Sequence, residues 1–333
     1  MALLYRPARM RSALALLLAM VGCSSPLPPG SRVDKLRVLA VRAEPPEVQP
    51  GQMTSLDTLT ALPLYNTVDA SAPVVTYLWL ACVEAVGSSA PFPCTLPSGS
   101  DAGVTPNIPV CDSSTGTNLC LIGDGPTQRY TPTSAALDAS GSSSASVLIT
   151  VVVADQEAGG AVGCAYDASQ GSGTPTNPDH CTVSLKRLTV SRSTTPNHNP
   201  TLASVTLDGA AIDQNGAAHW KLAPDNTTVS GTLSATRTPG SAEVKSDGTY
   251  ETLFLSWYVS AGSLENRRST FFPNDCPDAC LKTDPPVTVT TLWDFSTAAD
   301  AMQYAPTGEV LLWAILHDDQ DGVGWVSGSA VKQ

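Results

Sequence analysis

The chain has 333 residues, with 18 Lys and Arg against 30 Asp and Glu, a formal charge of −12. A chain this acidic, without a basic run, excludes nucleic acid as a partner and disfavours direct adhesion to anionic lipid. The charge itself is thinly spread and serves solubility.

The first residues carry Arg6, Arg9 and Arg11 and no acid, and Ser12 to Val21 is an apolar run rich in Leu and Ala. This is the layout of an export signal. The run is about half the roughly 20 residues that a transmembrane helix needs. Met20-Val21-Gly22-Cys23 ends it and resembles a lipobox, the processing signal of bacterial lipoproteins. That resemblance implies a diacylglycerol on the Cys23 thiol and cleavage that makes Cys23 the new N-terminus. Residues 1–22 then read as signal and 23–32 as a tether, stiffened by the prolines of Ser24 to Ser31 (SSPLPPGS). Several acyl chains hold a protein on a membrane at about 0.8 kcal/mol per buried methylene, so the body needs no apolar anchor of its own. Ser24 after the cysteine resembles the outer-membrane sorting signal. The expected location is the outer membrane or cell surface, with the periplasmic face as the other option.

Removal of residues 1–22 leaves 311 residues, with 15 basic against 30 acidic ones, a charge of −15. That length suits two domains. Gly, Pro, Ser and Thr are abundant, and apolar residues come in short Val, Leu and Ile runs, the pattern of an all-β protein.

In chain order, Lys35 to Arg42 predicts a first strand, broken at an edge by Pro45, Pro46 and Pro50, and Met53 to Ala61 predicts a second. Val74 to Cys82 predicts a strand with Trp79 at its centre. Val83 to Pro126 is a long, proline-rich stretch with little periodicity, which a compact domain tolerates when it is stapled or functional. Val147 to Asp155 is a continuous apolar strand ending in an acid and leading to Gly159-Gly160, and Thr182 to Ser191 follows. Arg192 to Pro200 (RSTTPNHNP) predicts a polar linker. The pattern then repeats: strands at Thr201 to Leu207 and Thr227 to Ala235, Trp257 inside Thr252 to Ser260, and Val310 to Asp318 running into Asp319-Gln320-Asp321-Gly322 and a last strand from Trp325 to Val331. A Trp on a middle strand fills the gap between two sheets about 10 Å apart. The expectation is two tandem immunoglobulin-like β-sandwich domains, 33–196 and 197–333.

Eight cysteines follow Cys23: Cys82, Cys94, Cys111, Cys120, Cys164, Cys181, Cys276 and Cys280. An even number in an exported chain points to disulfides, with connectivity open. Nearest-neighbour pairing would give 82–94, 111–120, 164–181 and 276–280. Cys276 and Cys280 lack the spacing and the second pair of a zinc knuckle.

The lipobox, the opening VLAVRAEPPEV and the acidic-glycine turns together resemble the lipoproteins of myxobacterial type that carry immunoglobulin-like domains behind a lipobox. The resemblance implies the fold and the anchor and offers no activity to transfer.

The chain has no G-x-S-x-G, H-E-x-x-H or phosphate-loop motif. Ser329 and Lys332 have S-x-x-K spacing but fall on a predicted strand. The four histidines, His180, His198, His219 and His317, have no ligand spacing, and His317 is expected to pack at a sheet edge. The best candidate site is Asp318, Asp319 and Asp321. Three carboxylates beside a glycine are oxygen ligands of the kind Ca²⁺ takes. The other reading is a turn in which Asp caps the backbone and Gly adopts positive φ. The expected role is a non-catalytic envelope module, joined to the membrane through acyl chains on Cys23 and binding an envelope protein or a glycan. For a glycan, Trp220, Tyr130, Tyr166 and Phe92 are the candidate aromatic platforms.

Overall fold

The computed structural model describes residues 30–62, 74–83, 108–112, 119–170, 177–212, 218–220, 229–273, 275–295 and 308–333. Alternating apolar residues with turn signals between them give eight strands in the first half: β1 (Arg37–Glu44), β2 (Glu47–Val48), β3 (Thr54–Ala61), β4 (Val75–Val83), β5 (Cys120–Gly123), β6 (Thr127–Tyr130), β7 (Ser144–Asp155) and β8 (Cys181–Ser191). They form two sheets, β1-β3-β6 and β2-β8-β7-β4-β5. Val147, Ile149, Val151 and Val153 of β7 face inward and meet Trp79, Leu56 and Val41. Trp79 is wholly buried, and its indole N–H donates to the Gly125 carbonyl at 2.8 Å, so its one polar atom is satisfied.

The second half repeats the plan with β9 (Leu202–Leu207), β10 (Ala210–Ala211), β11 (Ala218–Trp220), β12 (Val229–Arg237), β13 (Phe254–Val259), β14 (Ser263–Leu264), β15 (Arg268–Thr270), β16 (Thr288–Phe295), β17 (Glu309–His317) and β18 (Val323–Lys332). Its sheets are β10-β9-β12-β16-β14 and β11-β18-β17-β13-β15. In both halves a short strand pairs parallel with the last strand, β2 with β8 and β11 with β18. In both, the last strand, the continuous apolar strand and the Trp-bearing strand are consecutive neighbours. That order, in two facing antiparallel sheets, is immunoglobulin-like. The chain is all-β, with two such sandwiches in tandem.

Pro45 and Pro46 stand where the chain leaves one sheet of the first sandwich and enters the other as β2. β1 and β2 are both edge strands, as these prolines led one to expect, and the break between them is also the crossing between sheets. Neither proline has an N–H to lose, so the crossing orphans no donor there.

Two helices occur. α1 (Ala135–Ser140) is closed by Gly141 at φ 62°. α2 (Gly160–Gln170) was not expected. It lies on the outer face of the sheet that holds β7, where Ala161, Cys164 and Ala165 meet Leu78, Leu80, Val152 and Ala154. Its buried stripe is small, which lets the helix sit close to the sheet. This cover explains why β7 is apolar on consecutive residues: both faces are buried. Disulfides join Cys111 to Cys120, Cys164 to Cys181 and Cys276 to Cys280. Cys82 is also disulfide-bonded. Cys23, Cys94 and Phe92 lie outside the described residues.

Ser31–Gln333 form one compact unit. The sandwiches meet face to face. Leu39, Ala40 and Ala61 of the first pack against Trp313, Ile315 and Val323 of the second, with Val33 among them. In β17, Val310, Leu312, Ala314 and Leu316 point into their own sandwich while Trp313 and Ile315 point into this seam. The second continuous apolar strand is thus buried on both faces as well, and its cover is the other sandwich.

Candidate functional site

Three segments converge where the sandwiches join: the linker 192–200, the acidic turn after β17, and the hairpin around residues 243–251. The linker is not a free tether. Asn197 is buried, its backbone N–H donates to Glu47 at 2.8 Å, and its amide donates to Asp318 at 3.3 Å and to the Gln320 carbonyl at 3.1 Å. Asn199 donates to the Ala43 carbonyl and to Glu44, both at 2.7 Å, and accepts from the Val323 N–H at 2.7 Å. Glu47 also accepts from the Ser191 hydroxyl. The Asn199 side chain thus stitches β1 of one sandwich to β18 of the other, and Asn197 ties Glu47 of β2, through its backbone, to the turn after β17, through its amide. At Gly324 an added Cβ would lie 2.1 Å from the Pro200 carbonyl oxygen, so only glycine allows this approach.

Asp318 is 5 % exposed and caps its own turn: its carboxylate accepts from the Gln320 N–H at 2.8 Å and from the Gly322 N–H. The positive φ falls on Asp321, at 69°, rather than on Gly322. Gly322 is needed for space, since a Cβ there would meet the Asp318 carboxylate at 1.9 Å. Asp319 instead bonds Lys245 at 2.8 Å, and the Asp321 carbonyl accepts from the buried Lys186 ammonium. The carboxylates of Asp318 and Asp319 therefore part company, Asp321 is engaged through its backbone carbonyl, and among the described residues no cluster of three His, Cys, Asp or Glu is placed to hold a metal ion. The corresponding turn of the first sandwich works the same way: Asp155 accepts from the N–H groups of Glu157 and Ala158 at 2.9 and 3.3 Å.

Beside the turn, Glu251 is fully buried. It accepts from the Glu243 N–H at 3.0 Å and from the Gln320 side chain at 2.8 Å. Burial pushes its pKa up to about 7; the Glu243 N–H opposes this, and the charges of Asp318, Glu243 and Asp319 add to it. Burial likewise raises Asp318 and lowers Lys186. Asp319 and Gln320 of the turn border a cleft of about 1100 Å³ whose walls also include Glu47, Ser193, Asn197, Glu243 and Ser246. Both sandwiches and the linker contribute to it.

His180, His198 and His317 make structural contacts. His180 Nδ1 bonds Asp155 at 2.7 Å, which raises its pKa, and Nε2 lies 3.3 Å from Glu157. His198 bonds Glu243 at 2.7 Å. His317 stacks on Phe254 at 4.6 Å, and burial pushes its pKa down to about 4. It ends β17, which lies between β13 and β18, so the expected sheet-edge position is corrected to the end of an interior strand. His219 is exposed on β11. Ser329 and Lys332 lie on β18, as a strand, with the ammonium over the Trp220 ring at 5.9 Å.

Trp220 is not an exposed platform. It is buried against Trp293 and Phe295, and its N–H donates to the Gly308 carbonyl at 3.1 Å. Tyr130 is partly buried against the first core, and burial pushes its pKa up to about 12. Tyr166 is half-buried on α2. These aromatics do not assemble into one surface.

No family model and no curated protein matches the sequence. Among solved structures, the chain is similar to activated Escherichia coli alpha-2-macroglobulin at 10 % identity and a TM-score of 0.22, over 92 % of this chain and 22 % of that one. It is similar to the fibronectin(III)-like modules of Clostridium thermocellum CbhA at 9 % identity and TM-score 0.20, over 90 % and 94 % of the two chains. It is similar to part of the N-terminal region of an enterococcal surface protein at 10 % identity and TM-score 0.23, over 94 % and 99 %. The chain spans about a fifth of the macroglobulin. Likeness at this level carries no argument, and the immunoglobulin-like assignment rests on strand order and pairing. No helix among the described residues is long and apolar enough to cross a membrane.

Proposed function

We propose that the chain is a non-catalytic module of the bacterial envelope, held to the membrane by acyl chains on Cys23, which presents the cleft between its two sandwiches to a protein partner. The carrying observation is the stitched junction: Asn197, Asn199 and the apolar seam fix one sandwich against the other, so the cleft has walls of set spacing. A preorganised surface spends less of its binding energy on ordering itself. Loops held on rigid sandwiches are the usual place for recognition. Asp318, Asp319, Glu251, His180 and His198 are engaged in structural bonds, which supports a binding rather than a catalytic role. Burial of Trp220 removes the aromatic on which a glycan site most depended, so a protein partner is the favoured occupant.

Two experiments test this reading. Metabolic labelling with a palmitate analogue should mark the wild-type chain and fail on Cys23→Ser; equal labelling of both rejects the anchor. A photocrosslinker at Ser193 or Ser246 in the cleft should trap a partner in intact cells, while one at Thr290 on the far sheet should not. Equal trapping from Thr290 rejects the cleft as the contact surface.

A further inference from the structure

The cleft at the junction carries a charge imbalance that its own bonds leave open. Its walls hold four carboxylates, Glu47, Glu243, Asp247 and Asp319, against one ammonium, Lys245, and one imidazole, His198. Both basic groups are already engaged. Lys245 bonds Asp319 at 2.8 Å, and His198 bonds Glu243 at 2.7 Å. Glu47 accepts only from neutral donors, the Asn197 N–H at 2.8 Å and the Ser191 hydroxyl. Asp247 accepts from the Thr249 N–H at 2.9 Å and from its hydroxyl at 2.6 Å. Among the described residues, neither Glu47 nor Asp247 is bonded to a cation. Each Glu47 oxygen takes one hydrogen bond and keeps a lone pair free.

A neutral group of the same wall points the same way. Asn197 is 4 % exposed, and its amide nitrogen is committed to Asp318 and the Gln320 carbonyl. Its amide oxygen has no partner. A buried acceptor left unfilled is destabilising, and its partial negative charge stands uncompensated next to Glu47. It adds to the field of the cleft without having to be touched. The buried Glu251 registers this field, since the charges of Asp318, Glu243 and Asp319 help to raise its pKa. A cleft lined by one sign of charge concentrates ligands of the other. Val244 of the same wall is 58 % exposed and offers an apolar contact that suits a polypeptide better than a bare cation.

We infer that the cleft receives a basic side chain, Lys or Arg, of a polypeptide partner, with Glu47 as its counter-ion. This rests on the reading of the cleft as a protein-binding surface and names the chemistry of the partner.

The probe is a fluorescent peptide of alternating Arg and Gly, compared with the same peptide carrying citrulline, the neutral isostere of Arg. Fluorescence anisotropy with the full chain in non-ionic detergent should show the arginine peptide bound about tenfold more tightly at low salt, a preference that shrinks as salt is added. Glu47→Gln keeps an oxygen for the Asn197 N–H and should weaken binding of the arginine peptide about fivefold. Lys245→Gln removes a competing cation and should tighten it about twofold. Asp294→Asn removes an exposed acid of β16 and should leave it unchanged. Loss of folding would weaken binding in every variant, and general attraction to an acidic surface would make Asp294→Asn match Glu47→Gln. Equal binding of the two peptides overturns the inference, as does a Lys245→Gln chain that binds no more tightly than wild type. Partner trapping from Ser193 or Ser246 alongside such a result would keep the cleft as a protein surface and reject only its preference for basic groups.

Discussion

Glu251→Gln should change the way stability follows pH, and in a direction that can be worked out beforehand. Burial pushes the Glu251 carboxyl up to about 7 in the folded chain, against 4.5 for an ordinary glutamate. Folding therefore favours its protonated form. The stability this contributes is fully present below pH 4.5 and is lost as pH rises through about 7. The rise from 4.5 to about 7 corresponds to about 3 kcal/mol at the upper limit. His317 works against it. Its folded value is near 4, so the stability it contributes is present above pH 6.5 and is lost as pH falls through 4. It is half-buried, so solvent screening makes its contribution smaller. The two slopes oppose each other between about pH 4.5 and 6.5, and wild-type stability should be nearly level there. Glu251→Gln is neutral at every pH and keeps an acceptor for the Glu243 N–H, while Gln320 can turn its amide to complement it. The variant should match wild type near pH 5 and exceed it by about 2–3 kcal/mol at pH 8.5, with a fall in stability on acidification that His317 no longer has offset. Urea unfolding followed by tryptophan emission at pH 5.0, 6.5 and 8.5 measures this. A constant difference between variant and wild type across that range would refute the assignment of a near-neutral titration to Glu251.

Asn199→Ala should cost about 1–3 kcal/mol, because it strips the Ala43 carbonyl and the Val323 N–H of their partner at the seam; urea midpoints of the variant and wild type measure it. Replacing Cys164 and Cys181 together by Ser should cost about 3 kcal/mol for a loop of this size. It should also open residues 160–170 to limited proteolysis before any other described segment. Trp220→Ala should cost about 3–5 kcal/mol as a large-to-small core change, visible as a lower melting temperature. On the present reading it should alter partner capture from the cleft only in proportion to the folded fraction.

The strand plan was legible in the sequence because each strand's burial is written in its alternation. Trp79 and Trp257 both sit on strands beside a continuous apolar neighbour, and both were placed from pattern alone. What pattern does not carry is the identity of the cover. β7 and β17 read alike, yet one is roofed by a helix of the same domain and the other by a different sandwich. The roofing helix α2 was hidden because its buried stripe is Ala and Cys, with no large apolar period to betray it. The bonding of the linker is hidden for a related reason. RSTTPNHNP is polar because its asparagines satisfy buried backbone groups, and composition alone cannot tell a bonded polar residue from a solvated one. At the acidic turn both readings began from the same residues. Only the backbone geometry, with the carboxylate of Asp318 folded over Gly322, decided that it closes the turn.

The two-sided burial of β17 has a consequence for how this architecture evolves and is handled. Tandem immunoglobulin-like units are often pictured as interchangeable beads, each cut out or duplicated at will. Here a second bead severed near residue 197 would bare Trp313 and Ile315 on an open sheet, an oily face that invites self-association. The pair is therefore the heritable unit, and recombination that parted its members would be met by aggregation before any loss of recognition was felt.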